Sequence, residues 1–394
     1  MEDNQTLNYP GYVKFTIILI CIILLAGIIT YAHTLIIPIA FALLFAILLR
    51  PVVSLLNEKL KFPHVIAVLV TVVLFSLLVT ALFFFVFWQV SGVMDDWNKL
   101  RHNFLVHYEH LRHWIRDHFN ISYNVQEEYL KKVKNESIKG NSGLIGKSLI
   151  SFTGVLASAV LVPIYIFLIL LYRNLFIRFI CLQLKEKGRE TFGKILSEIK
   201  DVIQSYIVGL LIEMSIVITL TTAGLMIVGV EYALLLGTIT AILNLVPYVG
   251  LLIAGIITFM TALLTSTEAS VVLGSILVNV LVQLIDNNFL VPRIVGNKVR
   301  INAFVSMTAV IAGGIIGGVA GMFLSIPMTA ILKVVFDNVE HLKPWGYVMG
   351  DDSPQTYNWG RLRFPSFNAG SMEEKVMTKE DKEGDKQEEI NDKP

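Results

Sequence analysis

Polar side chains at the end of an apolar segment are the residues of this sequence best suited to chemistry. Gln283, Asp286, Asn287 and Asn288 lie where the apolar run Val271–Ile285 ends. Carboxylates and carboxamides bind cations or hydroxylated solutes, and they are costly inside a membrane span unless each finds a partner. The cluster is therefore a candidate site for binding a solute or an ion. The alternative is an ordinary polar cap at the cytoplasmic end of a span.

The residues directly after this cluster predict the end of its helix. Pro292 has no backbone N–H and is expected to stop the helix, and Gly296 is expected to open a turn. Arg293 is expected to bind an anionic or hydroxylated solute, or to lie among lipid headgroups.

A single carboxylate lies inside an upstream apolar run. Glu213 occupies the middle of Gln204–Val230. An acid within a span is a candidate functional residue, since it can alternate between a proton and a monovalent cation. The alternative is a structural role beside a water-filled cavity or at an oligomer contact.

Two long apolar runs are interrupted by helix-breaking residues. Tyr232–Thr265 contains the candidate binding residues Asn244, Pro247, Tyr248 and Gly250. Ala303–Val335 contains the candidate hinge residues Gly313, Gly314, Gly317, Gly318, Gly321 and Pro327. Each half of Tyr232–Thr265 is short for a full crossing of the bilayer. We expect two broken, re-entrant helical hairpins, although glycines in such runs also serve close helix packing.

Composition assigns the chain to the membrane. Of its 394 residues 55% are hydrophobic and 16% are charged, whereas soluble domains carry about 25% charged residues. A net charge of +1 gives no reason to expect a nucleic-acid partner. The two cysteines, Cys21 and Cys181, suggest no disulfide framework. No protease, hydrolase, phosphate-loop or dinucleotide motif is present, so we expect neither an enzyme nor a cofactor or metal.

The apolar pattern predicts an all-α membrane protein with about six full spans plus two broken hairpins. Phe15–Tyr31 and Thr34–Leu49 are expected to form a hairpin of spans joined at Ala32–His33. The predicted regions are a cytoplasmic N-terminus (1–14), spans one to three (15–90), an extramembrane helical hairpin (91–147), span four with a linker helix (148–203), a transport core (204–345) and a disordered charged tail (346–394).

The extramembrane hairpin contains an apolar seam of heptad spacing. Its expected core residues are Trp97, Phe104, Tyr108, Leu111 and Ile115, facing Val125, Tyr129 and Val133. Five histidines share the opposite face, His102, His107, His110, His113 and His118, which we interpret as a solvated, pH-responsive surface rather than a metal site. The seam has more apolar area than a thin hairpin covers, which predicts a homo-oligomer.

Lysines and arginines in the short loops predict the topology. The loops Arg50–Lys61, Arg173–Lys200 and Arg293–Arg300 are basic, which places them and both termini in the cytoplasm. A span followed by a broken hairpin then occurs twice in opposite senses. Such an inverted repeat is typical of secondary transporters.

Three stretches resemble the autoinducer-2 exporter family of bacterial membrane proteins. Tyr232–Gly250 resembles the family segment that ends in Pro-Tyr-hydrophobic-Gly. Gln283–Gly296 resembles the family signature made of a Gln, an acid followed by Asn, and Pro-Arg-hydrophobic-Gly. Gly313–Pro327 resembles its closing Gly-rich run. The resemblance covers about Phe15 to Leu342. It implies an oligomeric transporter of the bacterial inner membrane, with members linked to export of a signalling molecule and others to sodium/proton exchange. The chain departs from the family pattern at Gly209-Leu210 and Asn302-Ala303.

These features leave several functions open. The first is a secondary transporter that exports a small polar molecule, with Asn244, Gln283 and Asn287 as its hydrogen-bonding residues. The second is a sodium (or lithium)/proton antiporter that uses Glu213 and Asp286. A third is a membrane scaffold that docks a partner through the outer hairpin. An intramembrane protease based on a Glu213–Asp286 pair is a minor alternative.

Overall fold

The computed structural model describes residues 10–128, 131, 144–246, 249–295 and 301–351, and these residues are helical without any strand. The main helices are α1 (Gly11–Glu58), α2 (His64–Asp95), α3 (Trp97–Phe119), α4 (Leu144–Gln183), α5 (Glu186–Val228), α6 (Ala233–Asn244), α7 (Val249–Thr265), α8 (Ala269–Ile285), α9 (Ala303–Asn338) and α10 (Lys343–Met349). A π-helix, Asp286–Val295, continues α8. The predicted all-α class is confirmed.

Six helical segments in the described part of the chain are long and apolar enough to cross a membrane. They are Thr30–Glu58, His64–Asp95, Ala159–Gln183, Glu186–Val228, Ala269–Ile294 and Ala303–Asn338. The shorter apolar helices are Ala233–Asn244 and Leu252–Thr265. Helices are the form in which a chain satisfies its backbone hydrogen bonds within lipid. The chain is therefore a multi-pass membrane protein.

The predicted hairpin at Ala32–His33 is wrong. α1 runs through both residues without a break and is 48 residues long, or about 72 Å at 1.5 Å per residue. Neither residue is a helix breaker, since alanine is the strongest helix former and the His33 ring bonds the Thr30 carbonyl at 2.7 Å. The amino-terminal half of α1 is largely exposed, and its packing against the rest of the chain begins near Pro38.

The helices meet in a few separate apolar clusters. One joins α1, α2 and α4 through Ala42, Val68 and Ile166. Another joins α1, α5 and α9 through Leu44, Ile203 and Leu324, with the rings of Phe41 and Phe323 stacked at 5.5 Å. A third joins the four helices α5, α6, α7 and α8 through residues that include Leu225, Leu236, Ala262 and Val272. Small residues in these clusters let the helices approach closely, as is usual where lipid removes the hydrophobic drive for association.

α6 and α7 form the first broken hairpin. The break lies after Asn244, and it is closed by hydrogen bonds from Val246 N to Leu243 O (2.9 Å) and from Gly250 N to Val246 O (3.0 Å). A Cβ at Gly250 would lie 1.7 Å from Leu243 O, so a side chain does not fit where α7 starts against the end of α6. Pro247 and Tyr248 lie outside the described residues.

α9 contains the second broken hairpin. Gly317 (φ −139°, ψ 21°) and Gly318 (φ 57°, ψ −142°) interrupt the helix. The Gly318 conformation is one that only glycine adopts readily. A Cβ at Gly321 would lie 2.0 Å from Gly313 O, so the two arms touch on either side of the break. Gly314 lies against Met322, and Pro327 is buried within the second arm. A helix with a hairpin thus occurs twice; the opposite orientation of the two repeats stays a prediction.

The outer helix α3 packs against the rest of the protein through a different face from the one that the apolar heptad seam predicts. Leu100 and Asn103 are buried, and Asn103 Nδ2 donates to Leu264 O at 2.9 Å. The His107 ring bonds Ser266 O at 2.7 Å, so α3 lies against the end of α7. Of the seam residues Trp97, Phe104 and Leu111 are exposed. Val125 is also exposed, whereas Tyr129 and Val133 lie outside the described residues. The end of α7 offers unpaired carbonyl groups, which explains why the polar face of α3 docks there.

Candidate functional site

A buried group of three polar side chains lies where α5, the tip of the first hairpin and the end of α8 meet. Asn244 Nδ2 donates to Asp286 Oδ2 at 2.9 Å and is 3.3 Å from Glu213 Oε1. Glu213 is 6% exposed and Asp286 is 2% exposed. Two carboxyl groups from helices far apart in sequence therefore share one amide donor. We call Glu213, Asn244 and Asp286 the acidic triad.

Each member of the acidic triad is positioned by a helix. Glu213 lies 15 residues before the end of α5 at Val228, or about 22 Å along the helix. Asn244 is the last residue of α6, which has 12 residues and is too short to cross the bilayer. Asp286 is the first residue of the π-helix. Two of the three residues, Asn244 and Asp286, thus lie at interruptions of regular helix, where transporter sites typically form.

The π-helix replaces the helix end predicted at Pro292. It continues through Pro292 to Val295, so the prediction that Pro292 stops the helix is wrong. In a π-helix the N–H of residue i bonds the carbonyl of residue i−5, and Pro292 therefore leaves the Asn287 carbonyl without its helical donor. Gly209 lets this segment approach α5, since a Cβ there would lie 3.1 Å from Ile294 O. Single-turn π segments often mark functional sites.

No lysine, arginine or histidine in the described part of the chain forms an ion pair with the acidic triad. Among the described residues neither Glu213 Oε2 nor Asp286 Oδ1 has a hydrogen-bond partner. The Asn244 amide has two N–H groups and can donate one to each carboxyl group. Two buried negative charges are strongly destabilising unless a proton or a cation compensates them. The arrangement therefore suits the binding of one small cation, or of protons in its place.

Part of the polar cluster predicted from sequence lies elsewhere. Gln283 Nε2 donates to Asn287 Oδ1 at 3.0 Å on a more exposed face of α8. Arg293 is exposed, with its guanidinium 5.9 Å from the centre of the Phe289 ring. The structure thus brings Glu213, Asn244 and Asp286 together and separates them from Gln283, Asn287 and Arg293. Pro292 is exposed, and Gly250 closes the hairpin tip rather than contributing a polar group.

Buried hydroxyl groups near these helices were missed by sequence reasoning. Tyr206 is 4% exposed and precedes Glu213 by two helical turns on α5. The hydroxyls of Thr221 and Thr222 on α5 and Thr240 on α6 have no hydrogen-bond partner within the described ranges. A threonine in a helix usually bonds the preceding turn, so an unpaired one is unusual. The available signal was the occurrence of several threonines within otherwise apolar segments.

Gly209 and Asn302, where the chain departs from the family pattern, have structural roles. Gly209 lets the π-helix approach α5. Asn302 caps α9 by accepting from Val305 N at 2.9 Å, and its Nδ2 donates to Val348 O at 2.7 Å. It thereby ties α10 to the start of α9. For the parts of the chain that the structure describes, no group of three or more His, Cys, Asp or Glu side chains is placed to hold a metal ion.

A helical bundle with two broken hairpins and buried acids at a break defines a multi-pass membrane protein of the transporter class. The chain belongs to the AI-2E family of transporters, because the family model described as "AI-2E family transporter" matches residues 18–341.

Curated relatives agree with this assignment. The chain is 26% identical over 331 residues to "Putative transport protein YueF" of Bacillus subtilis, covering 80% of this chain and 86% of the relative. It is 26% identical over 347 residues to a "Putative transport protein" of Haemophilus influenzae, covering 84% and 94%. It is 32% identical over 147 residues to "Putative transport protein YrrI" of Bacillus subtilis, covering 37% and 41%.

Proposed function

We propose that this membrane transporter is a secondary transporter that exchanges a monovalent cation such as Na⁺ or Li⁺ for protons at the acidic triad. The observation that carries the proposal is the sharing of the Asn244 amide by Glu213 and Asp286, with Glu213 Oε2 and Asp286 Oδ1 left free of any hydrogen-bond partner among the described residues. The free oxygens supply the negative ligands that a hard cation prefers, and protons neutralise the same groups in its absence.

The helix ends at the acidic triad support a cation rather than an anion. Asn244 ends α6, so the partial negative charge of a helix carboxyl end lies beside the two acids. Half-helix carboxyl ends and unwound carbonyl groups coordinate coupling cations in secondary transporters. The broken hairpin that carries Asn244 is the element whose movement would open the site to one side of the membrane or the other.

Exchange measured in proteoliposomes tests this proposal. Purified protein is reconstituted with a pH gradient, and sodium-dependent dissipation of the gradient is followed with a pH-sensitive dye. We expect Glu213→Gln and Asp286→Asn each to lower the exchange rate at least about tenfold, since each removes a charge that binds the cation. Glu268→Gln is the matched control because Glu268 is exposed in the loop before α8. Full exchange in both site variants, or none in the unmodified protein with Na⁺ or Li⁺, contradicts the proposal.

A groove beside the Gln283–Asn287 pair supports a second candidate function, the export of a small polar organic molecule. The groove lies between α7 and α8 and has a volume of about 430 Å³. Asn279 and Gln283 are its carboxamides, and its other lining residues are apolar or glycine. It would suit a solute with a few hydroxyl groups on a compact body.

Thermal stabilisation by candidate solutes distinguishes the second function, because a ligand of the folded state raises its apparent stability. A stabilising solute whose effect is lost in Gln283→Leu and kept in Asn288→Leu supports export through this groove. Asn288 is a suitable control because its amide bonds Leu284 O on its own helix. A panel of solutes without any effect on the unmodified protein argues against it.

We further propose that the protein is a homo-oligomer of the bacterial inner membrane with both termini in the cytoplasm. The exposed face of α3, with Trp97, Phe104 and Leu111, and the exposed first half of α1 support an assembly contact. Mass measurement in mild detergent and in nanodiscs tests it. A monomer under both conditions contradicts the proposal, and a mass that falls in Trp97→Ser with Phe104→Ser supports it.

A further inference from the structure

Two adjoining cavities lie between α1 and α4, away from the acidic triad. The larger, of about 400 Å³, extends to α5 and α9 and has an almost entirely apolar wall that includes Leu43, Ile47, Phe176 and Ile180. The smaller, of about 160 Å³, is lined by polar side chains that include Ser54, Asn57, His64 and Asn174. Arg50 and Arg173 line both, so they lie where the apolar cavity meets the polar one.

Arg50 and Arg173 form a pair of like charges without an acidic partner. Both side chains line the same two cavities, so their like charges lie near one another. Neither makes an ion pair or a side-chain hydrogen bond to the rest of the described chain. Both are half-buried beside apolar residues, where such repulsion is poorly screened. An anion between them would remove the repulsion and would use donor groups that are otherwise idle.

The remaining polar residues that line the smaller cavity include no acid. Asn57 Nδ2 lies 3.2 Å from His64 Nδ1, so these two side chains hold each other at the cavity wall. Ser54 donates to Glu58 Oε1 at 3.0 Å, and Glu58 does not line the cavity. Lys200 lines the apolar cavity and adds a third positive charge, although it also lies 3.8 Å from Asp201. The balance of charge around the cavities is therefore positive.

The apolar cavity indicates that the anion belongs to an amphiphile. Phe176 and Ile180 are 51% and 39% exposed, so the wall continues onto the surface of α4. The candidate spanning segment Ala159–Gln183 includes both residues near its end, so we expect this part of the wall to lie at the edge of the bilayer, within reach of an acyl chain. A free phosphate would leave the apolar cavity without a suitable occupant. An acyl chain would fill it by entering along the exposed surface of α4.

We propose that the two cavities bind one anionic phospholipid, with its phosphate between Arg50 and Arg173 and part of an acyl chain in the apolar cavity. The lipid would join α1 and α4 to α5 and α9, which carry the triad residue Glu213 and the second hairpin. Basic pockets between membrane helices on the cytoplasmic side are suited to anionic headgroups, and the loop charges predict that side for Arg50 and Arg173.

Lipid binding to the purified full chain tests the proposal. Phosphatidylglycerol or phosphatidylcholine with identical chains is titrated into the detergent-solubilised protein. Retained lipid is counted by native mass spectrometry, and the unfolding midpoint is followed in parallel. We expect phosphatidylglycerol to bind selectively and to raise the midpoint. Arg50→Gln and Arg173→Gln should each weaken this binding about fivefold. Arg178→Gln is the matched control on the same helix, since Arg178 is exposed and lines neither cavity.

Further variants separate the two parts of the site. Ile177→Trp fills the apolar cavity and keeps both guanidinium groups, so we expect it to weaken phosphatidylglycerol binding as well. Inorganic phosphate should compete only at far higher concentration. Equal binding of the two lipids, undiminished binding in Arg50→Gln with Arg173→Gln, or equally strong binding of inorganic phosphate overturns the proposal. The unfolding midpoint in phosphatidylcholine alone shows that each variant is folded before its lipid binding is compared.

Discussion

Asn244 lies 2.9 Å from Asp286, measured from Nδ2 to Oδ2, and this hydrogen bond connects the tip of the first broken hairpin to the start of the π-helix. The two residues are 42 positions apart in the chain. Because Glu213 shares the same amide, any movement of the hairpin tip changes the environment of both acids at once. One residue of the site, Asn244, thus belongs to the element whose movement we propose.

Removal of the shared amide should disable exchange more than it harms folding. We expect Asn244→Ala to lower the exchange rate about tenfold or more, because an unsatisfied buried partner costs about 1–3 kcal/mol. The measurement is the proteoliposome assay described above, normalised to the amount of reconstituted protein. Asn98→Ala is the control, since Asn98 is exposed on α3. Equal rates for Asn244→Ala and the control would remove Asn244 from the mechanism.

Protons and cations should compete at the two carboxyl groups. If both bind the same acids, the cation concentration that gives half-maximal exchange should fall as pH rises, by about tenfold per pH unit for each competing proton. It should become constant once the acids have lost their protons. Initial rates of radioactive sodium uptake at several pH values measure this, and Glu213→Gln should flatten the dependence. A half-maximal concentration independent of pH would speak against a shared site.

The tightness of the first hairpin should make Gly250 irreplaceable. A Cβ at Gly250 would lie 1.7 Å from Leu243 O, so Gly250→Ala must move backbone. We expect its unfolding midpoint to fall by about 5 °C or more. Gly255→Ala on the same helix is the control, because a Cβ there meets no atom within 4 Å. An unchanged unfolding midpoint in Gly250→Ala would mean that the break between α6 and α7 has a different conformation from the one described here.

Two hydrogen bonds should hold the outer helix to the first hairpin. Asn103→Ala with His107→Ala removes the donors to Leu264 O and Ser266 O. We expect faster amide hydrogen exchange throughout α3, because its other contacts to the bundle are few. His102→Ala is the control, since His102 is exposed on the same helix. If the amides of α3 are protected from exchange as well as in the control, Leu100 and the ion pair of Lys99 with Glu231 suffice to hold α3 in place.

Local signals in the sequence predicted the breaks correctly. Glycine and proline act on the backbone where they occur, so the run around Gly317 and Gly318 indicated the second hairpin. The break after Asn244 was indicated in the same way. Ala32–His33 was misread because a short polar interruption between two apolar runs looks like a turn, whereas neither residue disfavours a helix. Pro292 was misread because a change to π-helical bonding accommodates it.

Partners across the fold could not be predicted. The residues around Asp286 form one polar cluster in the sequence, but a helix distributes neighbours over different faces. Asp286 therefore turns inward to Asn244, while Gln283 and Asn287 pair on another face. The direction in which each side chain points depends on the exact bonding of the π-helix and on the approach of α5 at Gly209. Neither follows from composition or spacing.

The helix α1 is much longer than the hydrocarbon core of a bilayer is thick. Its 48 residues extend for about 72 Å, whereas the hydrocarbon core is about 30 Å thick. An apolar rod of that length stays within lipid only when it is steeply inclined or bent, and its first half has little contact with its own bundle. The first half of α1 therefore leaves apolar surface that lipid or a helix of a neighbouring protein has to cover.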